Sequence, residues 1–159
     1  MVQVFKVSNV RGATGEGEVG SSFIYPNQLV GFLESRLSQG VPVFLITRDY
    51  PLLLQRFWDE GSLLKAVWIT TIEHPHAVHP RDLHKIEAAV IRDTSIRKSD
   101  VVLDGFEYLM LENGLIPALK FVSKVRDITL VNGTRFYVVL SDALTERERA
   151  LLKRSMGIL

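Results

Sequence analysis

Short, almost entirely apolar runs alternate along this chain with segments of helical periodicity. Val41–Thr47 is a nearly continuous apolar run, which is typical of a strand covered on both faces of a sheet. Before it, between the capping residue Asn27 and the stop signal Gly40, leucines recur at every fourth position. The pattern therefore predicts a helix that leads directly into a buried strand.

The same alternation of strands and helices continues to the end of the chain. Further strands are predicted at 23–25, 66–70, 101–103 and 136–140. The intervening helices are predicted to span 51–57, to open at His79 and Pro80, to follow the cap Asn113, and to begin at the capping box Thr145–Glu148. Because parallel strands need crossover connections, this order predicts an α/β fold, a single three-layer domain with a mostly parallel sheet and helices on both faces.

The first part of the chain is expected to be peripheral to this domain. Residues 2–7 predict a short strand, and the glycine-rich stretch from Asn9 to Ser22 predicts a flexible loop. Its glycines have the spacing of a phosphate-binding loop, but Glu18 and Val19 stand where that loop requires lysine and a hydroxyl. We therefore predict a surface turn in 1–19 and a core in 20–159 of one domain.

Composition narrows the classes of function and partner. The 19 basic and 18 acidic residues give a formal net charge of +1, which argues against nucleic-acid binding through a strong basic field. The absence of cysteine excludes thiol catalysis and thiolate metal sites. No apolar run has the length of a membrane span, and Val2–Val7 does not resemble a signal peptide. A soluble cytoplasmic protein without membrane contact is the expectation.

Polar residues follow three of the predicted strands where each strand ends. In a parallel sheet these ends lie along one edge, and ligands usually bind outside that edge. Asp104 ends an apolar strand, and Glu107 follows it by one short turn. The candidate ligand-binding residues are Arg48, Asp49, Thr70, Asp104, Glu107 and Tyr108.

Two interpretations of this edge remain open. In the first, the edge has no catalytic role: the carboxylates either pair with Arg48 and brace the sheet, or line a site for a small ligand. In the second, Asp104 holds a divalent cation, Glu107 orients water or acts as base, and Arg48 stabilises negative charge, as in a metal-dependent hydrolase or phosphotransferase. Any catalytic residues would then be Asp104 and Glu107.

All four histidines fall within a short segment that could hold a metal ion. Imidazoles are good zinc and nickel ligands, and His74, His76 and His79 are the candidate ligands. However, Pro75 and Pro80 restrict their convergence, and no two histidines have the helical spacing of a common metal motif. We therefore predict a solvated loop, with no metal and no other cofactor.

Several segments together resemble an archaeal family known as domain of unknown function 835, from about Gly20 to the end of the chain. The most specific are Leu45–Pro51 (LITRDYP) and Val102–Leu109 (VLDGFEYL). Supporting segments are Gly20–Tyr25, Val67–Thr70, Leu119–Phe121, Arg126–Asp127 and Ala143–Glu148.

The resemblance implies a relative of RecA-like and KaiC-like ATPases that has lost its phosphate loop. Members of that family often accompany sensor and signal-transduction modules. A non-catalytic regulatory or protein-interaction domain is therefore expected, with a protein partner and a small ligand at the carboxyl edge. RecA-like relatives also self-assemble through sheet edges and terminal helices, which implies a homodimer as a further expectation.

Overall fold

A computed structural model describes residues 21–50 and 63–158 of the chain. The predicted strand at 2–7, the glycines of the phosphate-loop pattern and the predicted helix at 51–57 lie outside these residues.

Six strands and five helices are found in the described part of the chain. The strands are β1 (Ser21–Ile24), β2 (Val43–Thr47), β3 (Leu64–Ile69), β4 (Ala77–Val78), β5 (Asp100–Asp104) and β6 (Phe136–Val139). The helices are α1 (Leu29–Ser38), α2 (Leu83–Arg97), α3 (Phe106–Asn113), α4 (Leu115–Asn132) and α5 (Glu146–Ser155). None of these described helices is both long and apolar enough to cross a lipid bilayer.

The strands form one sheet in which every neighbouring pair is parallel. Their order is β1-β6-β5-β2-β3-β4, so β2 and β5 lie at its centre. The β2–β5 register places Val43 beside Asp100 and Thr47 beside Asp104. The predicted α/β class is confirmed, and the arrangement is consistent with a RecA-like or Rossmann-like three-layer fold.

Alternate residues of the central strands face different helical layers. Phe44 and Ile46 belong to the cluster that packs on α2, α3, α4 and α5. Val43 and Leu45 belong to the cluster that packs on α1. All four are buried, which explains why the pattern of β2 is continuously apolar rather than alternating.

The structure corrects several predicted boundaries. Ser21 and Ser22, predicted to be loop, pair with β6 as part of β1. Asn27 lies in a single 3-10 turn, and Gln28 is the residue that precedes α1. The capping box is confirmed, because the Thr145 hydroxyl accepts the Glu148 N–H at 3.1 Å while Glu148 Oε1 accepts the Thr145 N–H at 2.9 Å.

The largest difference concerns the residues after β5. Glu107 does not lie in a short turn but in the first turn of α3, a helix that the sequence analysis did not predict. Its Phe106 and Leu109 are three residues apart and fully buried, so α3 contributes to the core. Asn113 ends this helix instead of capping the next one, and its amide donates to the carbonyls of Pro80 and Leu109 at 2.9 and 3.0 Å.

A buried polar network holds the amino end of the sheet. Asp93 on α2 accepts hydrogen bonds from Arg97 Nε at 2.9 Å and from the Ser99 hydroxyl at 2.5 Å. Arg97 also donates to the carbonyls of Leu63 and Val43 at 2.9 and 3.2 Å. The network therefore ties α2 to the segments that begin β2, β3 and β5.

We expect Asp93→Ala to lower the free energy of unfolding by about 3 kcal/mol, because it removes one partner of a buried ion pair. Urea unfolding measures the loss. Asp127→Ala is the matched control, since Asp127 is an exposed carboxylate 3.6 Å from Arg126 and its loss is expected to cost less than about 1 kcal/mol. Equal losses in the two variants would contradict the assignment of the network as a main support of the sheet.

Candidate functional site

The register of β2 and β5 builds the centre of the candidate site. The Thr47 hydroxyl donates to Oδ2 of the adjacent Asp104 at 3.1 Å. The same hydroxyl oxygen accepts the backbone N–H of Asp49 at 2.9 Å. Thr47 thus links the ends of both strands and holds the Asp49 backbone near the Asp104 carboxylate.

Gly105 turns the chain from β5 into α3. Its φ of +134° is one that L side chains rarely adopt, and a Cβ at this position would lie 3.4 Å from Cγ of Arg48. Phe106, which follows, is fully buried and anchors the start of the helix. The turn therefore places Glu107 and Tyr108 beside the end of β2.

Arg48 lies across the edge of the sheet and makes structural contacts. Its guanidinium donates to the Ile69 carbonyl at 3.1 Å, and its Cζ lies 4.0 Å from the centroid of the Tyr108 ring. Its backbone N–H donates to the Asp104 carbonyl at 3.1 Å. In the part of the chain that the structure describes, no ion pair joins Arg48 to Asp104 or Glu107, so the predicted bracing acts through β3 and α3 instead.

The carboxylates at this edge are poorly compensated. The pKa of Asp104 is raised to about 6, chiefly by burial and also by the nearby Asp49 and Glu107, while the hydrogen bond from Thr47 opposes the shift. Oε1 of Glu107 is buried and has no hydrogen-bond partner among the described residues. The edge thus combines a carboxyl group that exchanges its proton near neutral pH with a carboxylate oxygen that is free to accept a bond.

The carboxyl groups at this edge favour ligands that are cationic or rich in hydrogen-bond donors, and they favour proton transfer. Carboxylate oxygens suit cations and hydrogen-bond donors, and a carboxyl group with a pKa near the working pH can act as a general acid or base. Within residues 21–50 and 63–158, however, no three His, Asp or Glu side chains are grouped so that they could hold a metal ion.

Thr70 makes its hydrogen bonds within its own turn and to β4. It is buried after the end of β3, where its hydroxyl accepts the Ile72 N–H at 3.2 Å. Its own N–H donates to the Val78 carbonyl at 3.1 Å. Of the predicted site residues, the structure thus brings together Arg48, Asp49, Asp104, Glu107 and Tyr108, whereas Thr70 supports its own turn.

Two of the three candidate histidine ligands have Nδ1 engaged in local turns. Nδ1 of His74 accepts the N–H of His76, and Nδ1 of His79 accepts the N–H of Arg81, both at 3.1 Å. The His74 ring also packs edge-on against Trp68, with 5.3 Å between centroids. These contacts explain the local fold of the segment without a metal ion.

Sequence reasoning missed three contributors to the site. Thr47 links the two acidic strand ends, Gly105 permits the close approach of Arg48, and Trp68 donates its indole N–H to the Arg48 carbonyl at 3.2 Å. Thr47 could have been found by aligning the ends of the two apolar strands, since both runs end in a polar residue.

The fold and the site together define an all-parallel α/β protein with a carboxylate-rich site at the carboxyl edge of its sheet. Over residues 25–156 the chain matches the model of a family described as Protein of unknown function (DUF835), and it belongs to that family. The match includes β2, β5, α3 and every residue of the candidate site. No curated protein matches the chain.

Gly105→Ala is expected to lower the free energy of unfolding by about 1–3 kcal/mol, because alanine is strained at this φ and its Cβ would press on Arg48. Chemical denaturation provides the measurement. Gly31→Ala is the control, since a Cβ at this helical position meets nothing within 4 Å and should stabilise the protein by up to about 1 kcal/mol. The account of this turn fails if both substitutions are stabilising.

Asp104→Asn is expected to change how stability depends on pH. The folded state raises the pKa of Asp104 from an unfolded value of about 4 to about 6, so it binds more protons than the unfolded state within this window. The stability contributed by this group is complete below pH 4 and is lost as the pH rises through 6. Relative to wild type, the variant should therefore gain about 2 kcal/mol between pH 4 and pH 7.

Urea unfolding at these two pH values checks this expectation. The asparagine oxygen can still accept the Thr47 hydrogen bond, so the neutral form of the site is preserved in the variant. A stability difference between variant and wild type that does not change with pH would show that Asp104 ionises normally in the folded protein.

Proposed function

We propose that the protein is a non-catalytic regulatory or protein-interaction domain of signal-transduction type, which senses a small ligand at the carboxyl edge of its sheet. The observation that carries this proposal is the position of Arg48. A phosphoryl-transfer site needs a cation directed at the developing negative charge, but this guanidinium is held by the Ile69 carbonyl and the Tyr108 ring. The cation is thus occupied in joining β3 to α3.

The chemistry of the edge also narrows the ligand. Asp49, Asp104 and Glu107 supply acceptors, and within 21–50 and 63–158 no group donates a hydrogen bond to the buried Oε1 of Glu107. A ligand group with N–H donors or a positive charge would satisfy this oxygen, whereas a phosphate would meet carboxylates. We therefore assign the edge to a cationic or donor-rich small molecule rather than to a nucleotide.

The family membership and the parallel sheet support a descent from RecA-like or KaiC-like ATPases in this proposal. An acidic residue at the end of a central strand is the magnesium-binding position of such enzymes, and Asp104 occupies the end of β5. In this view the protein acts in the cytoplasm by contacting a protein partner, with a homodimer as the alternative assembly.

Calorimetry and a phosphate-release assay with ATP, GTP and Mg²⁺ test the non-catalytic assignment. We expect no turnover above buffer, because Arg48, the cation at the described sheet edge, is held by the Ile69 carbonyl and the Tyr108 ring. Asp104→Asn serves as the matched variant, since it removes the acidic residue and keeps the Thr47 contact. Micromolar nucleotide binding with turnover that Asp104→Asn abolishes would reject the proposal.

A metal-dependent hydrolase or phosphotransferase is the second candidate, and one observation favours it. A carboxyl group with a pKa of about 6 beside an unpartnered carboxylate oxygen is suited to proton transfer, with Asp104 and Glu107 as the reacting pair. This candidate requires an activity with Mg²⁺ or Mn²⁺ that is lost in Asp104→Asn while unfolding stays cooperative. A screen of phosphate esters and nucleotides without such an activity leaves it unsupported.

A further inference from the structure

A surface groove lies on the opposite helical layer from α1, between α4 and the end of α5. It has a volume of about 420 Å³ and is lined mainly by α4. The Ser123 hydroxyl donates to the Ser155 carbonyl at 3.3 Å and so joins the two helices at the groove. None of its lining residues belongs to the carboxyl-edge site.

The groove has an apolar end. Ile116 is 58% exposed although it is a large aliphatic residue. Leu119, also in the lining, is only 8% exposed and belongs to the core. Ile116 therefore presents apolar surface at a position where a surface helix ordinarily presents a polar side chain.

Two lysines lie on the same face of α4 as Ile116. Lys120 and Lys124 follow Ile116 at intervals of four residues, so the three side chains share one face of the helix. Both lysines are exposed, and neither forms an ion pair in the described part of the chain. Asp127 lines the far end of the groove, 3.6 Å from Arg126.

Helices α4 and α5 together carry a net positive charge, as the lining of the groove does. Helix α4 carries three cations and one anion, and α5 carries four cations and two anions. The complete chain has a formal net charge of only +1, so positive charge is concentrated on α4 and α5 and the remainder is acidic. An acidic partner is therefore attracted to this part of the molecule.

We infer that this groove is a docking surface for an acidic, amphipathic helical segment of a partner protein. An apolar side chain of the partner would cover Ile116, and two acidic side chains four residues apart would meet Lys120 and Lys124. The apolar end favours a peptide over a nucleic-acid backbone, which would gain nothing from covering Ile116. This inference goes beyond the carboxyl-edge ligand site and does not depend on it.

The experiment is a selection of displayed helical peptides, randomised at their surface positions, on the full-length protein. Counter-selection uses Lys120→Glu/Lys124→Glu, which reverses the charge of the groove at exposed positions. The control variant is Lys65→Glu/Arg92→Glu, which makes the same charge change at exposed residues of β3 and α2. Circular dichroism and urea unfolding establish that both double variants keep the fold.

We expect the selected peptides to carry two acidic residues four apart beside an apolar residue. The best peptide should bind the groove variant at least about tenfold more weakly than wild type and the control variant within about twofold of wild type. Amide chemical-shift changes should fall on 116–127 and around Ser155. The inference is overturned if no peptide separates wild type from the groove variant, or if the separating peptides lack the acidic pair.

Two other occupants are distinguished by the same variants. Light scattering that shows self-association of wild type and not of the groove variant would assign the groove to a second copy of the chain and overturn the inference. Binding of single-stranded RNA that is lost only in the groove variant would overturn it in favour of nucleic acid.

Discussion

The alignment of β2 with β5 is the constraint on which the rest of the molecule depends. Hydrogen bonds at both ends of the pair hold this alignment, because the Asp100 N–H donates to the Pro42 carbonyl at 3.0 Å and the Arg48 N–H donates to the Asp104 carbonyl at 3.1 Å. The same register brings the Thr47 hydroxyl to the Asp104 carboxylate. The pairing of the two central strands thus determines which polar groups meet at the edge.

At this edge the fold holds acidic side chains close together, which is electrostatically unfavourable. Asp104 is partly buried beside Asp49, and Arg48 contacts the Ile69 carbonyl and the Tyr108 ring instead of pairing with Asp104. Residues kept in such poorly compensated surroundings occur most often at functional sites. The cationic helical pair α4 and α5 gives the molecule a second surface of opposite charge, and none of the groove residues belongs to the carboxyl edge.

Much of the fold could be predicted from sequence because its central strands are continuous apolar runs. The five residues of β2 are all buried and could be recognised without structural information. Helix α3 was missed because its eight residues place Phe106 and Leu109 in the core while Leu111 is exposed, which gives no clear helical stripe. Asn113 was wrongly predicted to be a cap because its amide bonds to Pro80, a residue far along the chain.

The site was predictable only to the level of the sheet edge. Parallel topology is sufficient to bring the strand-end residues to one edge, but the direction of the Arg48 side chain depends on its contacts with β3 and α3.

The most direct test of the whole account is a carbon-13 NMR titration of the Asp104 carboxyl group in wild type and in Thr47→Val. The account predicts a pKa of about 6 in wild type and a higher pKa in the variant, which lacks the opposing hydrogen bond. A wild-type pKa near 4, unchanged by Thr47→Val, would contradict it.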